Sequence, residues 1–115
     1  MMNRGDIFQA DLDPTKGSEQ AGHRPIIIVS RDGINRSSPV VVIVPLTKFQ
    51  SKKKIYPSHH IVRANKDNGL NVDSIAKCEQ IRAIAKSRLS HKLGSLGMED
   101  LIKIDAALKI VLNLK

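Results

Sequence analysis

The apolar positions fall into short blocks with two spacings, and the change of spacing marks a change of element. From Asp6 to Leu12 apolar side chains recur at Phe8, Ala10 and Leu12, the period of two that turns one face of a strand toward a core. Asp13-Pro14 ends this strand, because proline fixes its own φ and has no N–H to give a ladder. A polar loop with Gly17 and Gly22 follows, Asp13 to His23, long enough to suggest a functional segment. Pro25 opens a second strand, Ile26 to Ser30, whose Ile26, Ile27, Ile28 and Val29 are all β-branched, as suits a strand covered on both faces. Arg31 to Pro39, with Gly33 and Asn35, reads as a turn region. Val40 to Leu46 is a third strand with Pro45 near its end, and the basic loop Lys48 to Lys54 comes next. Tyr56 to Val62 forms a fourth strand. Lys66-Asp67-Asn68-Gly69 is a turn, and Ser74 to Ile81, extending toward Ile84, is a fifth strand.

Toward its end the chain changes period. Ser90 is placed to cap a single helical turn, His91 to Leu93, which Gly94 stops. Met98 to Leu112 then sets Leu101, Ile104, Leu108, Val111 and Leu112 along one stripe. Glu99 and Asp100 stand in its first turn, where acids complement the helix dipole. Strands followed by a terminal helix predict a mainly β fold with a C-terminal α-helix: a small barrel, one domain over residues 1–115, with the helix covering part of the sheet.

Composition narrows the function classes. The apolar runs Ile26 to Val29 and Val40 to Val44 are far shorter than the ~20 residues of a membrane span. No apolar stretch follows Asn3, Arg4, Gly5 and Asp6 to act as a signal segment, so the expected location is the cytoplasm, away from membrane. Cys78 is the single cysteine, so neither an internal disulfide nor a zinc spacing is available. Lysine and arginine total 19 against 11 acids, a net charge of +8. The surplus is uneven: no acid lies between Asp32 and Asp67, an interval holding Arg36, Lys48, Lys52, Lys53, Lys54, Arg63 and Lys66. Such a surface attracts polyphosphate, acidic protein or anionic membrane, or simply keeps the protein solvated. Scarce aromatics (Phe8, Phe49 and Tyr56) argue against binding single strands mainly by base stacking.

No phosphate-cradling glycine loop and no nucleophilic triad is apparent. His59 and His60 are adjacent, would point to opposite faces of a strand, and read as surface residues of the basic face, as does His91 in the helical tail. Two places could carry chemistry. In the loop-to-strand junction Gly17 to Pro25, a flexible segment delivers a carboxylate, an imidazole and a guanidinium, and Pro25 holds Arg24 extended. In Pro45-Leu46-Thr47 a hydroxyl stands at a strand exit. Together they offer a fork for a phosphate and a hydroxyl to hydrogen-bond it. The residues alone leave another reading open: Arg24 as an ion-pair partner of Asp11 or Asp13, and Thr47 as an ordinary turn residue.

Taken in order, Arg4-Gly5-Asp6-Ile7-Phe8, Asp11-Leu12-Asp13-Pro14, Gly17-Ser18-Glu19-Gln20, Gly22-His23-Arg24-Pro25, Pro45-Leu46-Thr47 and Glu79-Gln80-Ile81-Arg82 resemble the MazF/PemK (Kid) toxin family over nearly the whole chain. The resemblance implies an SH3-like barrel of the CcdB/PemK/MazF type and a homodimer whose groove binds single-stranded RNA. It implies sequence-specific cleavage to 2′,3′-cyclic phosphate and 5′-hydroxyl ends, without metal or cofactor. The partner it implies is an acidic, MazE-like antitoxin whose tail blocks the RNA groove.

Arg24 and Thr47 match the family's catalytic positions, with Arg24 on the phosphorane and Thr47 orienting the same phosphate. In the PemK branch an acid at the position of Glu79, a cation two residues earlier and a loop histidine also act. Here Lys77 stands for that cation, and Ser18 for the histidine. Glu79 is therefore a candidate for catalysis or substrate positioning. Glu19 and His23 are further candidates, His23 because it stands beside Arg24, although it matches no family motif position and adjacent strand residues face oppositely. Lys77 and Glu79 would share one strand face, which also fits a surface ion pair. Ser18, Gln20, Lys48, Lys52, Lys53, Lys54, Lys77 and Gln80 are expected to bind RNA. The rival classes are a non-catalytic, CcdB-like gyrase poison on the same barrel and a basic nucleic-acid-binding module.

Overall fold

A computed structural model describes residues 2–115. In chain order the elements are β1 (Asp6–Asp11), β2 (His23–Ile28), α1 (Asp32–Ser37), β3 (Val40–Lys48), β4 (His59–Val62), β5 (Ser74–Lys77), β6 (Arg82–Ala85), β7 (Leu89–Ser95) and α2 (Met98–Leu112). Every pairing is antiparallel, and the strand order is β4-β5-β3-β2-β1-β7, with β6 on β3. The mainly β fold with a terminal helix is as expected. No helix among the described residues is long and apolar enough to cross a membrane.

β3 explains how a proline can sit inside a central strand. Val40 to Ile43 pair with β6, and Leu46 to Lys48 pair with β5. Pro45 lies between these two ladders, at a point where that edge needs no N–H. The strand therefore runs two residues past its expected end at Leu46 and carries Thr47 within it. β2 likewise begins at His23, before Pro25, and Pro25 is not among the residues paired to β3.

The strands separate two apolar clusters. Ile7, Ile27, Val29, Val44, Leu46, Val62, Ala76 and Cys78 form one with Ile104, Ala107 and Leu108 of α2. Ala10, Leu12, Ile26, Ile28, Val41, Ile43 and Ile84 form the other, against which Phe8 packs. The run Ile26 to Ile28 is wholly buried, as its β-branched composition requires. Burial also pushes the Cys78 thiol up to about 12, with Glu79 adding to the effect, so this cysteine is an inert core residue.

Three expected elements come out differently. The region Arg31 to Pro39 contains α1, anchored by buried Asn35, whose Nδ2 donates to the Ser30 carbonyl at 2.8 Å. The expected fifth strand stops at Lys77. A 3₁₀ turn, Cys78–Gln80, follows, and Arg82 starts a separate strand. The expected helical turn at His91 is part of β7, whose pairing with β1 shifts register between Ile7 and Phe8 and between Gln9 and Ala10. The register skips Leu93 and Ser90, so the strand alternation is broken there and no period of two is legible in this stretch of the sequence. Within α2, Ile104 and Leu108 are buried as expected, whereas Leu112 is exposed.

Candidate active site

Arg4-Gly5-Asp6 builds the frame. Arg4 Nε donates to the Val29 carbonyl at 2.8 Å, and its Nη2 meets Asp105 of α2 at 2.5 Å. Gly5 has a φ of +96°, a backbone region that favours glycine, and its N–H donates to the Ile28 carbonyl at 2.7 Å. The buried Asp6 carboxylate accepts from the Asn3 N–H at 2.9 Å and the Ser95 hydroxyl at 2.8 Å. This most specific stretch of the sequence thus holds β1, β7 and α2 together, away from the chemistry.

A cleft of ~570 Å³ opens beside β1, β2 and β3. Gln9, His23, Arg24, Pro25, Thr47, Lys48, Asn71 and His91 are among the residues lining it. Arg24 is held by two backbone carbonyls: Nε donates to Ala21 at 2.8 Å and Nη1 to Leu46 at 3.3 Å. The alternative of an ion pair with Asp11 or Asp13 falls away. Asp11 faces His23 at 3.9 Å, and the Asp13 carboxylate accepts the Gly22 N–H at 2.9 Å. A guanidinium oriented by neutral acceptors keeps its full charge and its remaining fork donors for an anion.

Thr47 lines the same cleft, so the structure brings together Arg24 from the start of β2 and Thr47 from the end of β3. His23 and Lys48 line it as well. The loop Asp13 to Gly22 is tied to the 3₁₀ turn by one amide: Gln80 Nε2 donates to the Ser18 carbonyl, and Gln80 Oε1 accepts from the Gln20 N–H, each at 3.4 Å. Gln80 therefore reaches this loop from the far end of β5. Glu19 is exposed and turns back on its own loop, accepting from the Lys16 N–H at 2.6 Å.

Glu79 is outside the cleft. Its carboxylate sits 3.1 Å from His59 Nε2 and accepts from the Ser58 hydroxyl at 3.0 Å. Burial works to raise its pKa, but its own backbone N–H and the His59 and Ser58 hydrogen bonds outweigh that and hold it below the ordinary 4.5. The expectation of a shared strand face with Lys77 fails, because the strand has already ended and His59 is the partner of Glu79. His59 and His60 are likewise not free surface imidazoles. The His59 side chain is only 6% exposed, and His60 pairs with Asp100 of α2 at 2.8 Å. Lys52, Lys53 and Lys54 are exposed in the loop after β3, with Lys54 lying 5.3 Å from the Tyr56 ring centroid.

Sequence reasoning missed His91, Gln9 and Asn71 as cleft residues. No local signal marks them, since each enters through pairing or packing of distant segments. Among the described residues no group of three or more His, Cys, Asp or Glu side chains is placed to hold a metal ion.

Comparison with known proteins shows the family. The PemK-like, MazF-like toxin family of type II toxin-antitoxin systems matches residues 3–112. The chain is 42% identical over 114 residues to an endoribonuclease MazF of Staphylococcus epidermidis, covering 99% of this chain and 93% of that protein. It is 40% identical over 119 residues to endoribonuclease MazF9 of Mycobacterium tuberculosis, covering 99% and 98%. Its fold matches a mycobacterial endoribonuclease solved in complex with its cognate antitoxin, with a TM-score of 0.80 and 25% identity over 100% of this chain and 98% of that one. The fold of MazF from Deinococcus radiodurans matches with a TM-score of 0.82 at 22% identity, over 98% and 97%. With the family matched almost end to end and two full-length relatives at or above 40% identity, the chain belongs to the MazF/PemK toxins of type II toxin-antitoxin systems.

Proposed function

We propose that this MazF-type toxin is an endoribonuclease that cuts single-stranded RNA at a short sequence without a metal. The ribose 2′-OH attacks the adjacent phosphate, leaving a 2′,3′-cyclic phosphate and a 5′-hydroxyl. The observation that carries the reading is Arg24, a guanidinium aimed by two carbonyls and lining one cleft with Thr47. Such a preorganised cation stabilises charge that develops on the phosphorane oxygens without having to reorganise during the reaction. Thr47 hydrogen-bonds the same phosphate, and Lys48 adds positive charge.

His23 is the base that takes the 2′-OH proton. It lines the cleft beside Arg24, whereas Glu19 is engaged by its own loop and Glu79 by His59. An imidazole nitrogen offers a lone pair that can accept that proton. Ser18, Gln20, Lys52, Lys53, Lys54, Lys77 and Gln80 bind or position the strand around this centre. The toxin acts as a homodimer in the cytoplasm, its single domain filling residues 1–115. An acidic, MazE-like antitoxin competes for the basic surface that the +8 charge supplies.

The test is incubation with long mixed-sequence RNA in excess EDTA, followed by mapping of both ends at each cut. Cuts at one short sequence with cyclic-phosphate ends support the reading. A deoxy nucleotide 5′ to the scissile bond abolishes cutting at that site. Intact RNA would overturn the reading in favour of a gyrase poison or a binding module.

A further inference from the structure

His91 lies within β7, opposite Gln9 of β1, and lines the cleft that holds Arg24, Thr47 and His23. On the other edge of β1, Asp11 pairs with His23 of β2. Gln9 and Asp11 are two residues apart, so their partners approach the same face of β1. Neighbouring strands are about 4.8 Å apart, which sets the β7 and β2 backbones at roughly 10 Å. With the two-residue offset along β1, about 6.8 Å, the two histidine backbones stand roughly 12 Å apart, within reach of one phosphodiester held between side chains that extend from each.

The His91 ring is also oriented. The Ser90 hydroxyl donates its proton to the Gln9 carbonyl at 3.1 Å and stands 3.3 Å from His91 Nδ1. A hydroxyl has one proton, so toward His91 the Ser90 oxygen accepts, and Nδ1 carries the hydrogen. Nε2 is then the nitrogen that takes up and releases a proton.

We propose that His91 is the general acid of RNA cleavage, giving its Nε2 proton to the departing 5′-oxygen. The assignment rests on the 2′-OH mechanism proposed above. In the step, the 2′-O–P bond forms as the P–O5′ bond breaks. The 2′-OH proton passes to His23, and the His91 Nε2 proton completes the 5′-hydroxyl. His23 leaves protonated, His91 leaves neutral, and exchange with water restores both. Arg24 is a poor donor for this task because a guanidinium keeps its proton.

The experiment compares ordinary RNA with RNA carrying sulfur in place of the scissile 5′-oxygen. A thiol is acidic enough, near ~8.5, to leave as the thiolate without protonation. His91→Gln is expected to cut ordinary RNA ~10²-fold slower or worse, and to cut the sulfur substrate within a few-fold of the parent. His23→Gln is expected to stay slow on both. Binding of the uncleavable 2′-deoxy RNA at parental affinity shows that the His91 site remains folded. With binding intact, an ordinary-RNA rate near the parent, or an equal loss on both substrates, overturns the assignment. Arg24→Ala separates this from the parent reading. If it is inactive while His91→Gln is undisturbed, only His91 loses its role. If Arg24→Ala itself cuts normally, the mechanism beneath the assignment fails.

Discussion

Arg24 donates from Nη1 to the Leu46 carbonyl at 3.3 Å, one residue before Thr47, so the start of β2 and the end of β3 are bonded directly beside the proposed reacting phosphate. The bond fixes where the guanidinium points by fixing it to the strand that carries the hydroxyl. Arg24→Ala and Thr47→Ala should each slow RNA cleavage by ~10²- to 10³-fold, the usual loss of one preorganised donor. Circular dichroism should show an unchanged fold, since neither side chain belongs to the apolar clusters. A folded variant that keeps near-parental turnover would remove that residue from the mechanism.

The Gln80 amide holds the loop through Ser18 and Gln20. Both bonds are at the long end of the hydrogen-bond range and together contribute about 1 kcal/mol. Gln80→Ala should therefore raise KM about fivefold while kcat changes less, and hydrogen exchange should speed up between Ser18 and Gly22. A kcat loss with no change in exchange would make Gln80 a substrate contact instead of a tether.

Glu79 has its folded pKa below 4.5, so its ionised form contributes stability above that value and loses the contribution as pH falls through the folded pKa. The carboxylate is 40% exposed, and solvent screening keeps the effect small. Glu79→Gln should melt slightly below the parent at pH 7, and the gap should close in acid below 4.5. Cleavage at pH 7 should fall less than tenfold. A loss of ~10²-fold or more would mark Glu79 as the base after all.

Lys52, Lys53 and Lys54 are exposed on one loop and free to reach phosphate. Each phosphate contact adds about −0.7 to the slope of log K against log salt for a single strand. Changing all three to glutamine should flatten that slope by up to ~2, weaken binding of every RNA alike and leave the cut site unchanged. An unaltered slope would assign these lysines to solubility alone.

The sequence by itself determined the elements whose patterns are local. The β-branched run Ile26 to Val29 and the stripe of Met98 to Leu112 each carry enough apolar periodicity to specify a strand and a helix without help. Arg24 and Thr47 stood out through the family resemblance, since the residues alone left an ion pair and an ordinary turn residue open. Tertiary structure decided what depends on contacts between distant segments. Pro45 stays in a strand because β5 and β6 meet β3 on either side of it. Glu79 leaves the site because β5 ends at Lys77 and His59 of β4 captures its carboxylate. His91 enters the site because β1 pairs its register, across bulges that erase the strand period from the sequence. A local pattern records which face a residue turns; only long-range pairing sets which residues meet across that face.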